Sequence, residues 1–223
     1  MSQIINEYGP LLLTAMGQTL LLALLGLFFG CILGVIFGLS SVVNNKVSNI
    51  IAKIYVNIIR GVPMIVLAFF VFYGLPYGLR TLLGFKCVLT ALQAGTICLA
   101  LNCGAYMSEI IRAGIQAIDP GQMEAARSLG LGYWRSMFRV VLPQAIKNMI
   151  PSIVNQFIIT LKDTSILSVI GFPELVNKAQ NVIARTFMSF QVWIIVAIMY
   201  LVVILALQQV ANMLERRLNR GRI

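Results

Sequence analysis

Residues 119–143 read DPGQMEAARSLGLGYWRSMFRVVLP, and this stretch decides how the rest of the chain is laid out. Asp119 is placed to cap a helix, Pro120 suits the first helical position, where no backbone donor is needed, and Gln122 stands at the capping-box position. The spacing predicts a helix through Met123, Glu124, Ala125, Ala126, Arg127, Ser128 and Leu129, stopped at Gly130. A second short helix is expected from about Tyr133 to Val141, ended near Pro143. The result is a compact helical hairpin, too long to be a mere turn and set between two apolar runs.

Those runs continue on both sides. A bilayer-crossing helix needs roughly 20 apolar residues at ~1.5 Å rise each. Five stretches qualify: Leu11 to Val43 without a charge, Ile54 to Leu75 with one Arg, Val88 to Ile111, Ile150 to Ile170, and Phe190 to Leu214. Of the 223 residues, 59% are hydrophobic and only 11% charged, where soluble domains run at about a quarter charged, so a water-soluble globule is excluded. The expected fold is all-α, a polytopic membrane protein of five transmembrane helices with the hairpin on one face. Residues 1–223 form a single transmembrane domain whose connecting loop spans 113–143. The first run is about twice the length of a signal-peptide core and no Lys or Arg precedes it, so it is expected to stay as an uncleaved anchor.

Charge sets the orientation. One side collects Lys46, Lys53, Arg112, Arg127, Arg135, Arg139, Lys147, Arg216, Arg217, Arg220 and Arg222, the other only Arg80, Lys86, Lys178 and Arg185. The positive-inside bias places the N-terminus outside and the hairpin and C-terminus in the cytoplasm. The same asymmetry accounts for the net charge of +10 without nucleic acid, because no basic segment is interleaved with stacking aromatics. There is no His, and the four cysteines, Cys31, Cys87, Cys98 and Cys103, lack metal or redox spacing. They read as small, reduced packing residues, and no metal site is expected.

Polar residues inside the runs are the candidates for function, since polar groups at membrane depth are costly and face a bundle interior or a wet cavity. In the first run Gly26, Gly30, Gly34 and Gly38 form a ridge that lets another helix approach, within the chain or between subunits. Arg60 beside Pro63 reads either as a hinge or gate at a built-in break or as a snorkelling side chain. Asn102, Tyr106 and Glu109 share one helical face, with Arg112 placed to pair with Glu109, and the first two are read as substrate-facing or as interhelical hydrogen-bonding groups. Lys162 and Asp163 lie about 18–20 Å into the fourth run, too deep for snorkelling, and point about 100° apart. Gln156, Thr160 and Asp163 make one polar face there; Asn155, Lys162 and Ser165 make a looser one.

Glu124-Ala125-Ala126, three residues, Gly130, nine residues, then Val140-Val141-Leu142-Pro143 resembles the EAA loop of ABC-importer membrane subunits, with Val140 where Ile is usual. Arg60-Gly61-Val62-Pro63, Asn102-Cys103-Gly104-Ala105-Tyr106, Glu109-Ile110-Ile111-Arg112 and Lys162-Asp163-Thr164-Ser165 resemble the polar amino acid permease branch, the histidine, glutamine and arginine type. The branch usually has Thr at position 62 and Ser or Thr at position 103. The resemblance implies a type I ABC-importer transmembrane domain that dimerises with a second permease subunit, identical or sister. It also implies two cytoplasmic ATPase subunits, an extracytoplasmic solute-binding protein and alternating access to a polar amino acid. Glu124, Ala125, Ala126 and Gly130 would form the coupling contact, small residues letting the helix seat in a groove of the ATPase.

No phosphate-binding G-x-x-x-x-G-K-[ST] loop occurs in the sequence, so ATP and Mg are expected on the partner and no cofactor in this chain. A mid-membrane site is expected to be lined by Asn102, Tyr106, Asp163, Thr164 and Ser165, with Arg60, Pro63, Glu109 and Lys162 gating or structural. The rival reading is an ion-coupled secondary transporter, which also puts Lys and Asp at mid-membrane, but no repeat with paired broken helices is found. A membrane-embedded enzyme lacks its nucleophile, base or metal cluster here, so no catalytic residue is assigned.

Overall fold

A computed structural model of the chain describes residues 2–43 and 45–219. Arg220 and Arg222, which enter the charge count above, lie outside the described residues. Helix α1 (Ser2–Ser40) is the first span. Asn45 then caps α2 (Lys46–Gly61) by accepting from the backbone N–H groups of Val47 and Ser48. The break expected at Pro63 is present. Val62, the residue before proline, is extended at φ −101°, ψ 131°, as the clash with the proline ring demands.

The chain restarts as α3 (Met64–Phe69), passes through a π-turn at Phe70–Gly74 and continues as α4 (Leu75–Leu83). The second crossing is therefore Met64–Leu83 rather than 54–75. Helix α2 is a separate amphipathic element before it.

Thr90 and Gln93 form a reciprocal capping box at the start of α5 (Ala91–Gln116). The hairpin follows, with α6 (Pro120–Ser128) and α7 (Tyr133–Ser136). Asp119 caps α6 through the N–H of Gly121 as expected, but Gln122 does not close a capping box; its side-chain oxygen accepts from Gln144. Nor does the second arm end at Pro143. A π-turn at Met137–Val141 joins α7 to α8 (Leu142–Asp163), giving an apolar helical segment from Tyr133 to Ile170. The wider turn absorbs the missing N–H and the ring of Pro143, which would otherwise collide with the carbonyl four residues back. Pro76 follows the other π-turn in the same way.

After Asp163 the helix tightens to a 3₁₀ turn, Thr164–Ile170, and α9 (Leu175–Thr186) and α10 (Ser189–Asn219) complete the chain. Among the described residues, five helical segments are long and apolar enough to cross a membrane: Ile4–Ser40, Met64–Leu83, Ala91–Gln116, Tyr133–Ile170 and Ser189–Met213.

Helix α5 lies at the centre, and the glycine ridge of α1 lets the two helices lie closely together. A Cβ built on Gly26, Gly30, Gly34 or Gly38 falls 2.5, 2.8, 2.5 and 2.8 Å from the Cβ atoms of Leu99, Cys103, Met107 and Ile111, respectively. Both rows step by four residues and rise together, so α1 and α5 run parallel with one ridge seated in the other. This assigns the glycine ridge to packing within the chain. Cys98 and Cys103 are buried in that interface, as the packing reading of the cysteines requires, and all four cysteines are unpaired.

The two ends of the bundle differ. At one, Ile4, Leu12 and Met16 of α1 pack with Leu175, Ala179 and Val182 of α9 and with Val192 and Val196 of α10. At the other, Met107, Ile111 and Ile115 of α5 pack with Met137, Val141, Ala145 and Met149, which seats the hairpin against the bundle.

Candidate functional site

Between α2, α3, α5 and α8 lies a cavity of about 420 Å³, walled by Arg60, Pro63, Met64, Asn102, Tyr106, Ile159 and Asp163. Each element contributes for a local reason. The α2–α3 break lets the chain pass the cavity as non-helical backbone at Val62–Pro63, and irregular backbone at membrane depth is tolerated where it lines a wet space. Helix α5 presents Asn102 and Tyr106 on one face, four residues apart. Asp163 is the last residue of α8, just before the helix tightens.

Asn102, 8% exposed, donates from Nδ2 to Asp163 Oδ2 at 3.3 Å and contacts the Met64 sulfur at 3.7 Å. The guanidinium of Arg60 lies 5.0 Å from the centre of the Tyr106 ring and 3.6 Å from Glu109 Oε2. Arg112 grips Glu109 with two hydrogen bonds, Nε to Oε1 at 3.1 Å and Nη2 to Oε2 at 2.8 Å, and donates from Nη1 to Gln116. Glu109 thus pairs with Arg112 as its spacing suggested, and Arg60 is turned onto α5 instead of reaching along its own helix.

The sequence-predicted residues do not all converge. Asn102, Tyr106, Asp163, Arg60 and Pro63 line the cavity; Glu109 does not, and lies in the neighbouring clefts that share Arg60 with it. Thr164 is fully buried with its hydroxyl on the Leu161 carbonyl, and Ser165 bonds the Lys162 carbonyl; neither is in the cavity wall. Lys162 is exposed and makes no ion pair among the described residues. Gln156 and Thr160, read as part of one face with Asp163, bond each other and are buried.

Met64 was not singled out from sequence, since an apolar residue after a proline carries no signal for a wall position. Glu174 was also missed. Its carboxylate, 0% exposed, accepts from the N–H groups of Val176 and Asn177, while the Tyr200 hydroxyl donates to it and Thr19 accepts from the neighbouring Leu175 N–H. It locks α9 to α1 and α10.

In the hairpin, Glu124 and Ala125 are exposed on α6, whereas Ala126 is buried where α6 packs on α7 and the π-turn that follows it. Gly130 has φ +85°, the left-handed conformation that glycine adopts without strain, and it turns the chain out of α6. Leu129, Trp134 and Phe138 are exposed beside it, so the hairpin offers an apolar surface with one acid at its edge.

The signature of the binding-protein-dependent transport system inner membrane components matches residues 26–220. The chain is 34% identical to the glutamine transport system permease protein of Escherichia coli K12, over 94% of this chain and 93% of that protein. It is 40% identical to the arginine transport system permease protein of Bacillus subtilis strain 168, over 75% and 74%. A crystal structure of an amino acid ABC transporter with histidines superposes with a TM-score of 0.87 at 38% identity, covering 96% of both chains. An inward-facing methionine ABC transporter, at 19% identity and a TM-score of 0.78, shares the fold. The chain belongs to the binding-protein-dependent transport system inner membrane components: it is the non-catalytic, membrane-embedded permease subunit of an ABC importer, whose ATPase is a separate subunit.

Proposed function

We propose that this permease carries a polar amino acid through the cavity between α2, α5 and α8. The observation that supports this reading is the pairing of Arg60 and Asp163, fixed charges of opposite sign, in the wall of one cavity together with Asn102 and Tyr106. A zwitterion stripped of water needs both signs and neutral hydrogen-bonding groups. Asp163 and the Asn102 amide oxygen receive the ammonium group, and Arg60 receives the carboxylate. Ile159 and Met64 supply the apolar part of the wall. The glutamine and arginine permeases among the relatives handle ligands of this class by name, and family membership favours ATP-driven import over the ion-coupled secondary transporter.

In this reading the whole chain works as one transmembrane domain, with its N-terminus outside and its hairpin and C-terminus in the cytoplasm. It pairs with a second permease, identical or sister, and rests on two ATPase subunits that hold ATP and Mg. An extracytoplasmic binding protein delivers the solute. Glu124, Ala125 and the turn at Gly130 meet the ATPase, while Ala126 anchors the hairpin from the other side. Arg60, Glu109 and Pro63 form the gate on the hairpin side of the cavity. Thr164 and Lys162 serve structure, and Ser165 stands outside the wall.

The test is uptake by the complete complex, permease with its ATPase and binding protein, in proteoliposomes. Asp163→Ala and Asn102→Ala are expected to lower uptake at least about tenfold, the scale of losing one charge-assisted contact. Binding-protein docking and basal ATPase activity should persist. Uptake at the wild-type rate in both variants overturns the assignment of the cavity.

A further inference from the structure

Helix α2 has two faces. Val47, Ile51, Ile54 and Ile58 are exposed and apolar, repeating at helical spacing. About a third of a turn round the helix, Lys46, Lys53, Asn57 and Arg60 repeat at similar spacing and, with Ile50 among them, face the last turns of α5 across a cleft of about 730 Å³. The α5 wall of that cleft holds Glu109, Arg112 and Ser108.

The charges in the cleft do not balance. Four cations, Lys46, Lys53, Arg60 and Arg112, meet one carboxylate, Glu109, which is already engaged by both arginines. Lys46 and Lys53 make no ion pair among the described residues. Ser108 is 1% exposed and its hydroxyl has no hydrogen-bond partner, although a helical serine ordinarily bonds a carbonyl one turn back. From Lys46 to Arg60 the stripe extends about 21 Å along the helix. Arg60 lines both this cleft and the central cavity, so the two spaces meet at its guanidinium.

Across Arg60 the fixed charge therefore changes sign: an acid, Asp163, lies on the far side, and surplus positive charge on the near side. We propose that the α2–α5 cleft is a second binding station, which takes the α-carboxylate of the solute after it leaves the central cavity toward the hairpin end. This rests on the amino acid import reading above. Arg60 hands the carboxylate to Lys53 and Arg112, and Lys46 draws it to the mouth. Cavities lined by one sign of charge raise the local concentration of the opposite ion by about tenfold or more. The station's occupant is the solute carboxylate; a lipid phosphate is its competitor, since the exposed apolar stripe of α2 is turned only about 120° from the cations and Ile50 borders the cleft.

The cleft can be read without transport. In the reconstituted complex, with Cys31→Ser and Cys87→Ser to remove the two half-exposed native thiols, Asn57→Cys places a reporter in the cleft wall. An anionic methanethiosulfonate reagent is expected to react about tenfold faster than its cationic counterpart, relative to their rates with a free thiol. Lys46→Gln with Lys53→Gln should bring the ratio close to one, and Lys53→Arg should keep it. Both lysines are exposed, so these changes leave the packed bundle intact. L-glutamine or L-arginine on the hairpin side should slow the reaction, and their α-amides should not.

A ratio that favours the cationic reagent, or one indifferent to the two lysines, overturns the proposal. So does protection by phosphatidylglycerol vesicles in the absence of amino acid, which would assign the cleft to lipid. Failure of amino acid uptake alongside intact anion preference and lysine dependence would sink the import reading while leaving the cleft an anion station.

Discussion

A fully buried acid is held only where the fold supplies its partners, and Glu174 has three: two backbone amides at the start of α9 and the Tyr200 hydroxyl. It lies between the fourth and fifth crossings, outside both. Burial pushes its carboxyl up to about 7, while those hydrogen bonds pull it back. In the unfolded chain the same group titrates near 4.3. Between the two values the folded protein holds a proton that the unfolded chain has released. Its stabilising effect is therefore complete below about pH 4.3 and is lost as pH rises through about 7. Melting of the purified protein should shift down by several degrees between about pH 5.5 and about pH 8. Glu174→Gln should flatten that part of the curve; an unchanged slope would assign the titration to another group. No sequence rule exposes this residue, because the partner hydroxyl is 26 positions away on α10. The glycine ridge, by contrast, was legible as packing, and the structure adds only its counterpart on α5. Gly34→Ala drives a methyl group to 2.5 Å from the Met107 Cβ and should cost about 1–3 kcal/mol. Gly17→Ala, with nothing within 4 Å of the new atom, should instead gain up to about 1 kcal/mol in helix propensity. Thermal unfolding of the two variants checks the opposite signs.

Among the elements, those marked by backbone chemistry were the ones the sequence announced. Pro63 stops α2, Asp119 and Pro120 start α6, and Gly130 ends it in the left-handed conformation. What escaped depends on how a helix changes register. Pro143 was expected to end a helix, but the π-turn before it lets the chain run on into α8. Thr164 and Ser165 were expected in the cavity wall beside Asp163, although neighbouring residues on a helix point about 100° apart. Helix α8 closes at Asp163, and in the 3₁₀ turn that follows both hydroxyls fold back onto the carbonyls of Leu161 and Lys162 three residues earlier. The same side-chain resolution divides the EAA residues. Ala125 is exposed, and Ala126 is 5% exposed, in the helix that packs on the other arm of the hairpin. Ala125→Trp should leave the permease folded and monodisperse yet unable to retain its ATPase on affinity purification. Ala126→Trp has no room at its buried face and should lower the melting temperature by roughly 4–10 °C, at 1–3 kcal/mol of overpacking. If Ala125→Trp retains the ATPase in full, the exposed face of α6 is not the docking face.

At the scale of the whole molecule, the hydropathy and the Lys/Arg asymmetry yield five crossings and a sidedness, and the packing ties the two ends to different tasks. Helices α1 and α5 run parallel, so the start of α5 lies at the α9 end and its finish at the hairpin end. The polar path follows the same direction, from Asp163 and Asn102 through Arg60 to the cationic cleft. An importer powered from the cytoplasm needs its hairpin, and therefore the cleft, on that side. The loop before α5 supplies its own reporter. Cys87 is half-exposed between α4 and α5; Cys98 and Cys103 are buried, and Cys31 lies within the first crossing. A membrane-impermeant maleimide added to right-side-out vesicles should label the wild-type permease once, and Cys87→Ser should abolish the signal. Labelling that appears only after the vesicles are lysed would place this loop in the cytoplasm and the hairpin outside. No ATPase could then reach Glu124, and the surplus lysines would face the incoming solute instead of the departing one.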